Sequence, residues 1–254
     1  MPVKLYFVGT AGSGKTTLTN EFKNWMTREG FQTVTVNLDP GVSNLPYEPD
    51  IDVRDWISIN EIMDRYELGP NGAQIVSADM LAVNALEIKE VMNTYECHYF
   101  LIDTPGQIEL FTFRESSRET VRMLGFENSM IAFLFDPVVT KTPSGFLSMN
   151  ILAAITHFRM NIPYLPLLSK SDLLSEDELE SIENWAKDSM ALETDIRDME
   201  SPESTLGTEL VRGLEEVSLK EGIQPVSSFE QTGFEDIYTE VQTVFYGGED
   251  IESS

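Results

Sequence analysis

Six short runs of apolar, β-branched and aromatic residues recur along the chain, separated by stretches of helix length. Such near-continuous apolar runs are typical of strands buried on both faces of a parallel sheet. The predicted strands are Val3–Val8, Thr33–Leu38, Tyr99–Ile102, Met130–Phe135, Tyr164–Leu168 and, more weakly patterned, Gln224–Ser228. The predicted helices between them are Lys15–Arg28, Ile108–Leu124, Ser144–Arg159 and Phe234–Phe245. This alternation indicates an α/β fold with a doubly wound, mostly parallel sheet flanked by helices.

Two stretches depart from the simple alternation. About sixty residues separate the second predicted strand from the third, far more than one crossover needs. The pattern there predicts a Pro-rich irregular stretch, a helix over about 55–67, a turn at Gly69-Pro70-Asn71-Gly72 and a helix over about 78–93. The second stretch predicts two surface helices separated near Ser201 and Pro202. We therefore expect a single domain over residues 1–254, with helical insertions at about 40–96 and about 173–222.

The ionisable side chains are unevenly distributed along the chain. It carries 43 Asp and Glu against 17 Lys and Arg, a formal net charge of −26. Residues 173–222 hold 15 acidic and 4 basic side chains, whereas residues 1–30 carry a net charge of +2. This balance argues against a general nucleic-acid binder and a protein of anionic membrane surfaces, because both need basic faces. The acidic segment is typical of solvated helices, and the alternative is a docking face for a basic partner.

Cysteine content and hydropathy bear on the compartment. The lone Cys97 excludes an internal disulfide and any multi-cysteine metal site. The apolar run at the start of the sequence is too short for a signal peptide, and no apolar stretch of 18 residues occurs. We expect a cytoplasmic protein.

A phosphate-binding motif follows the first predicted strand. Residues 9–16, GTAGSGKT, match G-x-x-x-x-G-K-[ST] between a strand and a helix. Glycines let backbone N–H groups converge on phosphate oxygens, at a helix N-terminus whose dipole favours anions. Lys15 would contact the β- and γ-phosphates of a nucleoside triphosphate, and Thr16 would bind Mg²⁺. The candidate phosphate-contacting residues are Gly12, Ser13, Gly14, Lys15, Thr16 and Thr17.

A second motif, DTPGQIE over residues 103–109, follows the strand Tyr99–Ile102. An Asp at the carboxyl end of a buried strand lies where ligands bind in open sheets, so Asp103 is a candidate Mg²⁺ ligand. Gly106 would let a backbone N–H approach the γ-phosphate closely. Gln107 and Glu109 would then hydrogen-bond an attacking water.

Candidate base-binding residues follow the last two predicted strands. Residues 169–172, SKSD, resemble the [NT]-K-x-D box of GTPases. A carboxylate such as Asp172 accepts two N–H groups from guanine, whereas adenine offers no such pair. In such a box the stem of Lys170 lies over the base, while Ser169 replaces the usual Asn. Ser227 lies in a segment that resembles the final base-contacting loop.

These motifs, taken with the insertion, resemble a known family. The chain is similar to archaeal members of the GPN-loop GTPases over about residues 3–246. The resemblance rests on the segments Leu38-Asp39-Pro40, Leu45-Pro46-Tyr47, Pro49–Asp55, Gly69-Pro70-Asn71 and Asp103–Glu109. From spacing alone, Gly69 followed by Pro70 would indicate a helix end.

The resemblance implies a dimer that forms across the nucleotide. Asn71 of one subunit would reach the partner's site and help to position the water, while Gln107 and Glu109 orient it from within the subunit. Asp39 would lie near the γ-phosphate and Mg²⁺. Independently of the family, we place Asp39 at the end of a strand beside the phosphate-loop strand, where the crevice lies.

The leading hypothesis is a Mg²⁺-dependent GTPase that acts as a homodimer, uses GTP and GDP as a conformational switch and serves the assembly of a protein complex. Catalysis would use Lys15, Asp39, Asn71, Gln107 and Glu109, without direct contact to nucleic acid or membrane. Two alternatives remain open: a P-loop kinase for a small molecule, and a nucleotide-dependent scaffold that does not hydrolyse.

Overall fold

Seven parallel strands form one sheet in the computed structural model, which describes residues 1–199, 204–215 and 222–247. The spatial order is β3-β2-β4-β1-β5-β6-β7, which confirms the predicted α/β fold. The strands are β1 Val3–Gly9, β2 Thr33–Asn37, β3 Ile51–Asp52, β4 Tyr99–Asp103, β5 Ser129–Phe135, β6 Tyr164–Leu168 and β7 Gln224–Pro225.

Helices cover both faces of this sheet. They are α1 Lys15–Arg28, α2 Ile59–Tyr66, α3 Pro70–Met92, α4 Ile108–Thr112, α5 Glu115–Leu124, α6 Pro137–Thr140, α7 Pro143–Met160, α8 Glu176–Lys187, α9 Ser189–Asp198, α10 Ser204–Glu215 and α11 Phe234–Tyr246. The core below α1 and α11 includes Phe7, Phe22 and Phe234, which meet edge to face. None of the helices described is both long and apolar enough to cross a membrane.

The central strands are buried on both faces because alternate side chains enter opposite cores. In β1, Leu5 and Phe7 pack under α1 and α11, while Tyr6 and Val8 join the larger core on the other face. Because β1 is parallel to both its neighbours, β4 and β5, the carboxyl ends of these three buried strands lie at the same edge of the sheet.

The predicted helix Ile108–Leu124 is in fact two helices. The backbone becomes extended at Arg114, between α4 and α5, while Phe113 is the C-cap of α4. The Arg159 guanidinium on α7 donates to the carbonyls of Thr112 at 2.6 Å and Phe113 at 3.1 Å. These bonds satisfy carbonyl groups at the end of α4, which a helix leaves without intrahelical partners.

The insertion between β2 and β4 differs from the prediction in two respects. It contains β3, which the pattern did not predict, and its second helix begins at Pro70 instead of near residue 78. Helix α2 ends at Glu67, which has a φ of 52°, and Gly69 is the N-cap of α3 with Pro70 in its first turn. Proline suits that position because its missing N–H needs no partner there. Gly69-Pro70-Asn71 therefore opens a helix, and the turn predicted there is wrong.

The acidic stretch forms α8, α9 and α10 within its described part, one helix more than predicted. The predicted break near Ser201 and Pro202 lies outside the described residues. Glu193 is buried between α9 and α10, where its carboxylate accepts from Arg197 and, at 2.8 Å, from Arg212. A buried charge of this kind needs paired cations.

Replacing Gly233 by Ala is expected to destabilise the protein strongly. Gly233 has a φ of 79°, and an added Cβ would lie 2.2 Å from the Pro225 carbonyl oxygen. We expect a loss of about 3 kcal/mol in unfolding free energy, measured by urea denaturation. Gly247→Ala is the matched control, since Gly247 has a φ of 64° with open space around it and should lose only about 1 kcal/mol. Equal losses in the two variants would contradict the steric argument.

Candidate nucleotide-binding and catalytic site

The phosphate loop between β1 and α1 depends on three glycines. Gly12 and Gly14 have φ values of 79° and 95°, which L side chains rarely adopt. At Gly9 an added Cβ would lie 2.7 Å from Ser13 Oγ and 2.9 Å from the Leu134 carbonyl oxygen. Because Gly14 is the N-cap of α1 and provides no side-chain cap, the first N–H groups of that helix are left for a ligand.

Lys15 lies at the centre of this loop. Its Nζ donates to the carbonyl oxygens of Gly9 and Thr10, both at 2.9 Å, and of Gly106 at 3.2 Å. Burial lowers the pKa of Lys15, and the nearby carboxylates of Asp103 and Asp39 oppose that shift. The ammonium therefore joins the phosphate loop to the segment after β4, at the position from which it can meet phosphate oxygens.

The end of β4 provides a buried carboxylate. Asp103 is 1 % exposed, and its Oδ1 has no hydrogen-bond partner among the described residues. Its other contacts are the hydroxyl of Thr16 and the phenol of Tyr47, which donates to Oδ2 at 3.5 Å. Burial raises the pKa of Asp103 to about 7, and the Thr16 hydrogen bond and the Lys15 charge limit that rise.

This oxygen set fits Mg²⁺. An unpartnered, buried carboxylate oxygen beside a hydroxyl is the donor chemistry that Mg²⁺ takes, with phosphate and water completing the shell. The described residues contain no group of three His, Cys, Asp or Glu able to hold a metal ion alone. Asp103 and Thr16 would therefore hold Mg²⁺ only together with a nucleotide.

Asp39 reaches the same region by a route that differs from the prediction. The strand β2 does not lie beside β1, because β4 lies between them. Asn37 pairs in register with Asp103, so the chain emerges next to the end of β4. The Asp39 carboxylate accepts from the N–H of Gly41 at 2.8 Å and of Gly106 at 3.0 Å. The Gly106 N–H predicted to approach the γ-phosphate is thus bonded to Asp39 in this structure.

A hydrogen-bonded series of side chains from the insertion supports Asp39. Asn37 Oδ1 accepts from the Asp39 N–H at 3.0 Å, and Asn37 Nδ2 donates to Asp52 Oδ1 at 2.9 Å. The Arg54 guanidinium holds Asp52 in turn and lowers its pKa despite partial burial. Asp52, held by Arg54, thus helps to fix the loop that carries Asp39 through Asn37.

The two candidate water-orienting residues are exposed near this loop. Gln107 is the N-cap of α4 and Glu109 lies in its first turn. Gln107 Nε2 donates to Gln74 Oε1 at 2.7 Å. Gln74, on α3, is a site residue that the sequence reasoning missed; an amide among the apolar positions of a helix was the available signal.

Asn71 is not brought to this site within the chain. Gly69, Pro70 and Asn71 are all exposed at the first turn of α3. The structure thus leaves Gly69, Pro70 and Asn71, at the start of α3, accessible to another molecule.

The base-binding candidates meet beside the phosphate loop. Lys170 donates to the Gly12 carbonyl, and its Cε lies 3.5 Å from where a Cβ on Gly14 would stand. Asp172 Oδ1 accepts from Ser227 Oγ at 2.5 Å, which ties the two candidate loops together. Ser169 is buried, and its hydroxyl donates to the Phe135 carbonyl at 3.0 Å.

A second missed residue, Asp136, directly follows β5. Its Oδ2 pairs with Lys170 Nζ at 3.0 Å, while its Oδ1 accepts from the Val138 N–H at 2.9 Å as the N-cap of α6. An acidic residue directly after a buried strand was the signal in the sequence. Asp136 holds Lys170 across the phosphate loop.

The raised pKa of Asp103 predicts a pH dependence of stability. Its folded-state pKa of about 7 exceeds the unfolded value of 3.8, so the folded state binds more protons between these values and stability falls as pH rises. Asp103→Asn should abolish this loss. The difference in unfolding free energy between the variant and wild type should therefore favour the variant by about 2 kcal/mol more at pH 8 than at pH 5. Urea denaturation without nucleotide at both pH values measures this gain. Parallel pH profiles for the two proteins would contradict it.

Comparisons with known proteins agree with this geometry. A family described as "Conserved hypothetical ATP binding protein" matches residues 7–247. GPN-loop GTPase PAB0955 of Pyrococcus abyssi is 36% identical over 92% of this chain and 93% of its own length. The solved apo structure of that GTPase has a TM-score of 0.85 at 34% identity, covering 96% of this chain and 98% of its own. GPN-loop GTPase 1 of Dictyostelium discoideum is 30% identical over 74% of this chain, which spans only 47% of that relative. The chain belongs to the GPN-loop GTPase family.

Proposed function

We propose that this protein binds GTP with Mg²⁺ and hydrolyses it to GDP and phosphate. The observation that carries the proposal is the contact between Lys170 and the phosphate loop at Gly12 and Gly14, with Asp172 bonded to Ser227 beside it. Asp172, the carboxylate that we assign to guanine, therefore lies close in the chain to a lysine that contacts the phosphate loop, which supports a guanine nucleotide as the ligand. A small-molecule kinase needs the phosphate loop but has no use for this guanine-directed carboxylate.

The chain's own residues divide the work of hydrolysis. The N–H groups of the phosphate loop and Lys15 hold the phosphate oxygens and stabilise the charge that develops on them. Asp103 and Thr16 would hold Mg²⁺, which would supply further neutralisation of that charge. Gln107 and Glu109 hydrogen-bond the attacking water.

The hydrogen bond between Asp39 and Gly106 supports a nucleotide-dependent switch. A γ-phosphate that takes the Gly106 N–H must displace the Asp39 carboxylate, which lies 3.0 Å from that nitrogen. Displacement would release the loop after β2 from the segment after β4. GTP and GDP would therefore favour different conformations of two surface segments, the readout that a cytoplasmic assembly factor for a protein complex needs.

Dimerisation with Asn71 acting in trans is the second part of the proposal. Asn71 is exposed at the N-terminus of a 23-residue helix, whose outer face also exposes Ile75, Val83 and Leu86. Those apolar side chains give a second subunit a surface to cover. Two subunits that meet across the nucleotide would exclude water and complete each site.

Asp172→Ala is expected to weaken GTP binding about 30-fold or more, because guanine loses its paired acceptor. The affinity for ATP should not change, so the variant should lose the preference for GTP over ATP. Calorimetric titration of both nucleotides with Mg²⁺ tests this. Asp177→Ala, on exposed α8, is the control and should bind like wild type. Unchanged GTP affinity in Asp172→Ala would refute the assigned guanine contact.

Asn71→Ala is expected to lower the maximal rate of phosphate release about tenfold to a hundredfold while GTP affinity is retained. Wild-type specific activity should rise with protein concentration through the monomer–dimer transition, without any phosphate acceptor being added. Asn93→Ala, at the other end of α3, is the matched control. Turnover independent of protein concentration would reject the trans site, and turnover that requires an acceptor would favour a kinase.

A further inference from the structure

Among the residues that the structure describes, the Gln107 side chain makes one hydrogen bond. Its Nε2 donates to Gln74 Oε1 at 2.7 Å, across 33 residues of sequence. Gln107 is otherwise exposed, so this hydrogen bond is what restrains its amide. With the N–H₂ group so committed, Gln107 Oε1 is left to accept a hydrogen bond.

Gln74 lies on a part of α3 that is itself fixed. The Ser77 hydroxyl donates to the Gln74 carbonyl at 2.9 Å, and Asp79 binds Arg114 and Ser116 of the neighbouring chain segment, each at 2.7 Å. Gln74 is half-buried, and its Nε2 lies 3.5 Å from where a Cβ on Gly41 would stand. The amide therefore extends from a fixed helix against the loop that carries Asp39.

Both amides line one cavity beside the phosphate loop. The cavity has a volume of about 140 Å³, ample for water. Its walls come from the phosphate loop, the Asp39 loop, the segment after β4 and α3, and include Ala11, Asp39, Gly106, Gln107, Gln74 and Ser77. The Gly106 N–H assigned to the γ-phosphate is therefore next to the space that a nucleophilic water would take.

We propose that Gln74 is a positioning residue for GTP hydrolysis in the same subunit, which holds the Gln107 amide so that its Oε1 faces the attacking water. This inference rests on the proposed GTPase function. It gives α3 two roles at neighbouring positions: Asn71 acts across the dimer, and Gln74 acts within the chain. Orientation of this kind lowers the barrier without adding affinity for the substrate.

Gln74→Met tests the inference because methionine nearly matches glutamine in size and lacks a strong acceptor. The kcat for phosphate release is expected to fall about tenfold, with the KM for GTP and the affinity for GDP unchanged. Gln74→Glu restores an acceptor for the Gln107 N–H₂ group, so most of the kcat should return. Its added negative charge near the triphosphate should raise the KM. Asn84→Met on the same helix is the control, since the Asn84 side chain donates to the Met80 carbonyl of its own helix and makes no other hydrogen bond within the described residues.

The outcomes separate this inference from the proposal beneath it. Wild-type protein that releases no phosphate from GTP refutes both. Active wild-type protein with an unchanged or higher kcat in Gln74→Met refutes the positioning role alone, and a higher kcat would mean that Gln74 restrains Gln107 away from the site. A rise in KM without loss of kcat, or a Gln74→Glu variant as slow as Gln74→Met, also overturns it. Denaturation midpoints of the variants confirm that each is folded.

Discussion

The ammonium of Lys15 bonds three carbonyl oxygens from two segments that are distant in sequence, and the site is arranged around it. Its position requires β1 and β4 to be neighbours, so that the phosphate loop and Gly106 emerge side by side. It also requires Gly9, because a Cβ there would strike Ser13 and the backbone of β5. The cation then offsets the two nearby carboxylates, Asp103 and Asp39. The strand order of the parallel sheet thus places the buried Lys15 ammonium between the phosphate loop and the segment after β4.

The sequence predicted those features that depend on local chemistry. The phosphate loop, the segment after β4 and the segment 169–172 after β6 each combine a strand with a short motif, and each lies at a strand end as expected. The helix Lys15–Arg28 and the strand Tyr164–Leu168 were predicted to the residue. Their patterns are strong because burial on one face, or on both, fixes the residue types.

The features that were missed depend on contacts between distant residues. A two-residue strand such as β3 leaves no periodicity; Asp52 bonded to Asn37 helps to hold it in place. Gln74 and Asp136 acquire roles only through partners 33 and 34 residues away. The break between α4 and α5 likewise depends on Arg159 of α7. Capping chemistry also misled the reading of Gly69-Pro70, since glycine followed by proline can end one helix or begin the next.

The shortness of the outermost strands has a consequence for behaviour at high concentration. Both edges of the described sheet, β3 and β7, are only two residues long, so neither presents a row of free N–H and C=O groups to another molecule. Edge-to-edge strand pairing is the usual route from a native sheet to fibrous aggregates. Strands this short offer few free backbone groups with which a further strand could pair. Among the described residues, contacts between copies of this chain are left to helices and loops instead of strand edges.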